Sequence, residues 1–141
     1  MGSGSLRLLL DTHILIWLAE GTADLAPTSV ARLDDATRDD GLAVSAISFW
    51  ELAMLQARQR ITLSLPVQRW REIVLETSGF IEAPLTGDAA IESVNLPGEI
   101  HDDPADRMLI ATARLNGWTL ATRDDRILSY GAAGNVEVLR L

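Results

Sequence analysis

The chain has 141 residues, 12 basic and 20 acidic, for a formal charge of −8 with both histidines neutral; 48% of the residues are apolar and 23% charged. This is the balance of one ordinary globular domain, long enough for a hydrophobic core without staples. Cysteine is absent, every basic residue is arginine, and there are only two histidines, which excludes disulfides, thiolate zinc, thiol nucleophiles, lysine-dependent chemistry and a three-histidine metal site.

Met1–Ser5 reads as an expression tag or a disordered N-terminus, leaving residues 6–141 as a single domain. Leu6–Leu10 is an apolar run of strand length, broken at once by Asp11 and His13 and far short of the ~20 apolar residues of a membrane span. No secretory signal follows it, so the cytoplasm is expected and a membrane is not. Ile14–Leu18 begins a helix ending near Gly21, and Pro27–Arg38 is a second helix. Gly41–Val44 is a strand, followed by a helix capped by Ser45 or Ser48 and running to about Arg58. Pro66 opens a helix stopped by Gly79, with Val67, Trp70, Val74 and Leu75 inward. Phe80–Ala83 is a third strand, and Thr86 caps a short helix reaching about Val94. Asp103-Pro104 starts a helix with Met108, Leu109, Ala111 and Leu115 on one side and Gly117 past its end. Trp118–Ala121 is a fourth strand, Asp124–Leu128 a single helical turn, and Val136–Leu139 a last strand. Strands separated by helices imply right-handed crossovers and a parallel sheet of four to five strands covered on both faces. The fold class is α/β, three layers.

Open parallel sheets bind ligands beyond the carboxyl ends of their strands. Asp11 follows the first strand, Glu51 lies in the first turns after the second, and Thr122, Arg123 and Asp124 follow the fourth. Asp106 sits in the first turn of the helix opened by Pro104. Two unit charges ~4 Å apart at an effective dielectric of ~20 repel by ~4 kcal/mol. Convergent acids must therefore protonate or hold a cation. Oxygen ligands suit Mg²⁺ or Mn²⁺, which can support hydrolysis of a phosphodiester without lysine, cysteine or histidine. The acidic balance argues against coating nucleic acid through broad phosphate neutralisation, but not against cutting it at one site.

Each acid also has a purely structural role open to it. Asp11 could cap the following helix, Glu51 could close a capping box with Ser48, and Asp124 could cap its turn. Asp103 reads as the N-cap before Pro104, and Asp106 suits the same helix dipole. His13 and His101 are either ligands or packing residues. Trp17, Trp50, Trp70 and Trp118 are read mostly as core rather than as base-stacking surfaces. Arg107 and Arg123 flank two of the acids and either contact phosphate or are solvated or ion-paired.

Leu9–Trp17, with Asp11-Thr12-His13 inside it, resembles the opening of PIN-domain ribonucleases of the VapC toxin type. His101–Arg107 with Leu109-Ile110-Ala111 is similar to their central motif, Ser45–Leu52 to the segment of the second acid, and Leu120–Asp124 to that of the last. The resemblance runs from about Leu8 to Leu139. It implies an α/β/α PIN domain and a Mg²⁺- or Mn²⁺-dependent endoribonuclease. It also implies a toxin inhibited by a cognate VapB-like antitoxin, and a homodimer. Carried over by position, Asp11, Glu51, Asp106 and Asp124 are the catalytic and metal-holding quartet, half of the −8, with Thr122 supporting them. Asp102 stands where an uncharged or basic residue is common in the family.

A haloacid-dehalogenase-type phosphatase needs an acid where this chain has His13, and a lysine; a receiver domain also needs the lysine. A dinucleotide-binding domain needs a glycine-rich turn after the first strand, and none is present. The remaining alternative is a noncatalytic PIN-fold module that binds RNA or protein.

Overall fold

A computed structural model describes residues 7–21, 25–39 and 41–141. Met1–Ser5 lies outside them. In chain order the elements are β1 (Leu8–Leu10), α1 (Thr12–Glu20), α2 (Pro27–Asp39), β2 (Leu42–Ser45), α3 (Ala46–Ala57), α4 (Val67–Ser78), β3 (Ile81–Ala83), α5 (Gly87–Val94), α6 (Pro104–Asn116), β4 (Thr119–Thr122), α7 (Asp125–Ala132) and β5 (Val138–Arg140). The five strands pair in parallel in the order β3-β2-β1-β4-β5.

The period-2 rule assigns the two faces of the sheet. Leu8, Leu10, Leu42, Val44 and Ala121 point into one apolar cluster with Leu15, Leu33, Leu52 and Trp70 from α1 to α4. Leu9, Ala43 and Leu120 point into the other, with Leu109, Ile110, Ile127 and Tyr130 from α6 and α7. Both faces are covered, which is why the strands read as continuous apolar runs rather than alternating ones. Among the described residues no helix is long and apolar enough to cross a membrane.

The caps explain where helices begin and end. Thr86 Oγ1 accepts from the Ala89 N–H at 3.0 Å, and Asp103 Oδ1 accepts from the Asp106 N–H at 2.9 Å. Gly117 ends α6 in the left-handed conformation at φ 67°, which a side chain would resist.

Several boundaries differ from the sequence reading. β2 and β4 run one residue further than expected, so Ser45 and Thr122 close their strands instead of following them. α1 starts at Thr12 rather than Ile14. α7 continues for two turns to Ala132 because Ile127 and Tyr130, one turn apart, are both buried. β5 begins at Val138 rather than Val136. Leu115 is 50% exposed, on the face of α6 away from Leu109 and Ile110. Trp50 is likewise exposed on α3, Trp70 is buried, and Trp17 and Trp118 only partly pack against the core.

Candidate active site

The strand order places the site. The chain runs outward from β1 to β2 and β3, then returns to the opposite side of β1 for β4 and β5. Loops leaving β1 and β4 therefore diverge, opening a crevice between the carboxyl ends of these neighbours. Asp11 and Asp124 border that crevice, a cleft of about 190 Å³ lined also by His13, Ile14, Trp17 and Arg123.

Asp11 occupies the N-cap position of α1, but its carboxylate caps nothing. Its backbone N–H extends the sheet to Ala121 O at 3.0 Å, and its Oδ2 accepts a hydrogen bond from Thr122 Oγ1 at 2.7 Å. Thr122 is fully buried, and the same Oγ1 accepts from the Asp124 N–H at 3.0 Å. One hydroxyl thus ties the end of β1 to the turn after β4. Burial pushes the Asp11 carboxyl above its ordinary range against the opposing bond from Thr122.

Asp124 does cap its helix. Its Oδ1 accepts from the N–H groups of Arg126 and Ile127, and its Oδ2 pairs with the Arg126 guanidinium at 3.1 Å. Partial burial works to raise its carboxyl, but these bonds hold it below the ordinary range.

Glu51 is not half of a capping box. Ser45 is the N-cap of α3, its Oγ accepting from the Ile47 N–H at 3.1 Å. Ser48 lies a turn further in, fully buried, and its Oγ accepts from Thr12 Oγ1 at 2.9 Å. Glu51 is left half-buried near Thr12. Burial raises its carboxyl, Thr12 opposes that, and the charges of Asp103 and Asp11 raise it further.

Asp106 lies in the first turn of α6 and faces His101, whose Nε2 is 2.6 Å from Asp106 Oδ2. His101 Nδ1 is buried with no hydrogen-bond partner. A buried N–H without an acceptor costs more than a bare lone pair, so the proton belongs on Nε2, which donates to the carboxylate. Burial pushes the Asp106 carboxyl up to about 6, against the His101 bond and with the charges of Asp11 and Asp103 adding to the rise.

Glu51 and Asp106 feel the charge of Asp11, and Asp11 that of Asp124, each interaction raising the carboxyl it acts on. The four acids come from four separate elements and make one electrostatic cluster. As they stand, no three histidine, aspartate or glutamate side chains among the described residues are grouped to share an ion. Two of the four are turned aside, Asp106 to His101 and Asp124 to Arg126. The donor set of the four acids is all oxygen, so in chemistry the residues suit a hard divalent ion.

The PIN-domain family matches residues 8–133, nearly the whole described chain. The chain belongs to the PIN-domain family. This PIN domain is 37% identical over 123 residues to ribonuclease VapC22 of Mycobacterium tuberculosis, covering 87% of this chain and 91% of that protein, which places it with the VapC type. Among solved structures, FitAcB of Neisseria gonorrhoeae is 26% identical with a TM-score of 0.63, covering 94% of this chain and 96% of that one. VapBC2 of Rickettsia felis, bound to a promoter DNA fragment, is 16% identical with a TM-score of 0.70 over 96% and 98% of the two chains, a likeness of fold alone.

Two residues of this PIN domain serve the site in ways the sequence did not disclose. His101 was open between ligand and packing residue; it is the partner of Asp106. Arg107 faces the backbone. Its guanidinium donates to the backbone carbonyls of Ser93 (2.8 Å), Ile100 (3.1 Å) and His101 (3.3 Å), fastening the loop that carries His101 to α5 and α6. The position of His101 within a motif next to Asp106 was a usable signal. Arg107 gave none, because backbone carbonyls have no sequence signature.

Proposed function

We propose that this PIN domain is a metal-dependent endoribonuclease toxin that hydrolyses RNA phosphodiester bonds. The observation carrying the reading is that Asp11 and Asp124 border the crevice between β1 and β4 while Glu51 and Asp106 lie within electrostatic reach of Asp11. Its kinship with ribonuclease VapC22 supports the RNA substrate. We assign the quartet as the catalytic and metal-holding residues and Thr122 as their support. Mg²⁺ or Mn²⁺, when bound, supplies a positive charge that acidifies water and offsets charge developing on the phosphate. The chain's own contribution is positional. Thr122 holds the Asp11 carboxylate at the strand end, and His101 holds Asp106. Asp11 and Asp106 are largely out of water, where their charge attracts a cation most strongly.

The partners follow the same reading. VapBC2 of Rickettsia felis is a solved complex of this fold, and we propose a VapB-like antitoxin as the inhibitor here, with a homodimer as the assembly. Residues 6–141 form the one domain, and the cytoplasm is where it acts.

The test is direct. Purified protein is incubated with structured RNAs in Mg²⁺ or Mn²⁺, then with chelator, alongside Asp11→Asn and Asp106→Asn. Cleavage by the parent that chelator stops and both variants lack is the expected result. Equal cleavage in all of them, or indifference to chelator, overturns it, and binding without any cleavage would leave the noncatalytic RNA-binding module.

A further inference from the structure

Two buried hydroxyls between α1 and α3 have had no part in the chemistry so far. Thr12 and Ser48 are both fully buried, and Thr12 Oγ1 donates to Ser48 Oγ at 2.9 Å from one helix to the other. Each stands beside one of the acids. Thr12 follows Asp11 and opens α1, and Ser48 precedes Glu51 by one turn on the same side of α3. The two helices also share an apolar cluster, through Leu15 of α1 and Leu52 of α3. Apolar burial is non-directional, whereas a hydrogen bond weakens steeply when its partners are misaligned. The hydroxyl pair is therefore a contact that fixes how α3 stands along and around α1, and with it the spacing of Asp11 and Glu51.

We propose that the Thr12–Ser48 pair is a clasp that joins α1 to α3 and sets Glu51 beside Asp11 for a shared divalent cation, which makes Thr12 and Ser48 positioning residues of the site. The inference rests on the metal-dependent reading and names residues that build its cation site. Stability does not call for such a pair, since an apolar pair of the same shape would serve about as well in the core. What the hydroxyls add is a rotatable proton near Glu51. The Thr12 hydroxyl has one proton to give, and the Glu51 carboxyl is its second acceptor besides Ser48. Thr122 is the partner of Asp11, His101 of Asp106 and Arg126 of Asp124. Thr12 fills that place for Glu51. A long glutamate side chain whose head is held in advance loses less freedom when a cation arrives.

The experiment titrates Mn²⁺ alone into the full chain by calorimetry, with no RNA present. Thr12→Val keeps the shape and removes the hydroxyl. It is expected to weaken binding about tenfold, the lower end of the ~10–100-fold loss seen for groups that orient metal ligands. Ser48→Ala should weaken it in the same direction, and Thr12→Ser should restore it. On a Glu51→Gln background Thr12→Val should change nothing further. Thr112→Val makes the same change at a buried hydroxyl on α6, which donates to Met108 O at 2.8 Å, and should leave Mn²⁺ affinity as it is. Circular dichroism melts in chelator establish that each variant is folded, and Ser48→Ala carries the test if Thr12→Val is not. Parent affinity in Thr12→Val, an equal loss in Thr112→Val, or an equal loss with and without Glu51 overturns the clasp. Any of these beside parent binding that Asp11→Asn abolishes leaves the metal-dependent reading standing. A parent that binds no Mn²⁺ removes that reading and the clasp together.

Discussion

Asp11 has the sequence position of a helix cap and a different occupation. A capping carboxylate turns back to the first N–H groups of its helix, as Asp103 and Asp124 do here. Asp11 instead stays buried against Thr122, a disposition that costs desolvation and is offset in part by the hydrogen bond from Thr122. Asparagine at position 11 can still accept from Thr122 without the buried charge. Asp11→Asn is therefore expected to lower RNA cleavage by more than ~100-fold, the loss that partners of metal ligands alone can reach. In chelator at neutral pH it should melt at or above the parent temperature, and a clear drop would show that the carboxylate is there for stability. His101 makes a second case. His101→Leu leaves the buried Asp106 carboxylate without its donor, whereas the amide of His101→Gln reaches the place of Nε2. Calorimetric titration with Mn²⁺ should show affinity falling ~10–100-fold in His101→Leu and recovering in His101→Gln. Equal affinities in the two variants would mean that His101 merely fills space.

At the scale of elements, the sequence told most where one side chain decides and least where two segments meet. Thr86, Asp103-Pro104, Gly79 and Gly117 mark helix ends by local chemistry, and those ends are where the sequence put them. The strand ends moved by a residue because the register of β2 and β4 is set by pairing with β1, a non-local fact. The capping box open to Glu51 does not form, because Ser45 caps α3 and the Ser48 hydroxyl accepts from Thr12, 36 residues away in sequence. The same cause hid the length of α7. Gly131 lies inside α7, where β5 passes close by. A β-carbon on Gly131 would come within 2.5 and 2.7 Å of the two Val138 methyl groups and 3.1 Å of Val136 O. Valine is stiff about χ1 and cannot swing aside. Gly131→Ala is expected to destabilise by about 1–3 kcal/mol in urea titrations, although alanine is the better helix former. Val138→Ala in the same chain should recover part of the loss. A neutral or stabilising Gly131→Ala would show that β5 moves freely over α7.

At the scale of the whole molecule, the topology brings carboxylates from four parts of the chain within electrostatic reach of one another beyond the carboxyl end of β1, and that arrangement makes stability depend on protons and cations together. Burial raises the carboxyls of Asp11, Glu51 and Asp106, the last to about 6, while the Arg126 and backbone bonds lower Asp124. Between about 4 and 6 the folded chain therefore keeps a proton on Asp106 that the unfolded chain has released. Where the folded state binds more protons, stability falls as pH rises, so the contribution of Asp106 is full below the unfolded value and is lost through about 6. Asp124 acts in the opposite direction, but its depressed carboxyl titrates below that window and contributes little within it. A divalent ion that binds the ionised acids stabilises the folded chain by mass action, and it competes with those same protons. Differential scanning calorimetry in chelator should thus show the melting temperature falling from about pH 5 to pH 7, with a smaller fall in Asp106→Asn. Adding Mg²⁺ or Mn²⁺ should raise it more at pH 7 than at pH 5. A cation effect that is equal at both pH values, or equally large in Asp11→Asn, would separate the ion from the quartet and leave the clustered acids without the counter-charge their burial calls for.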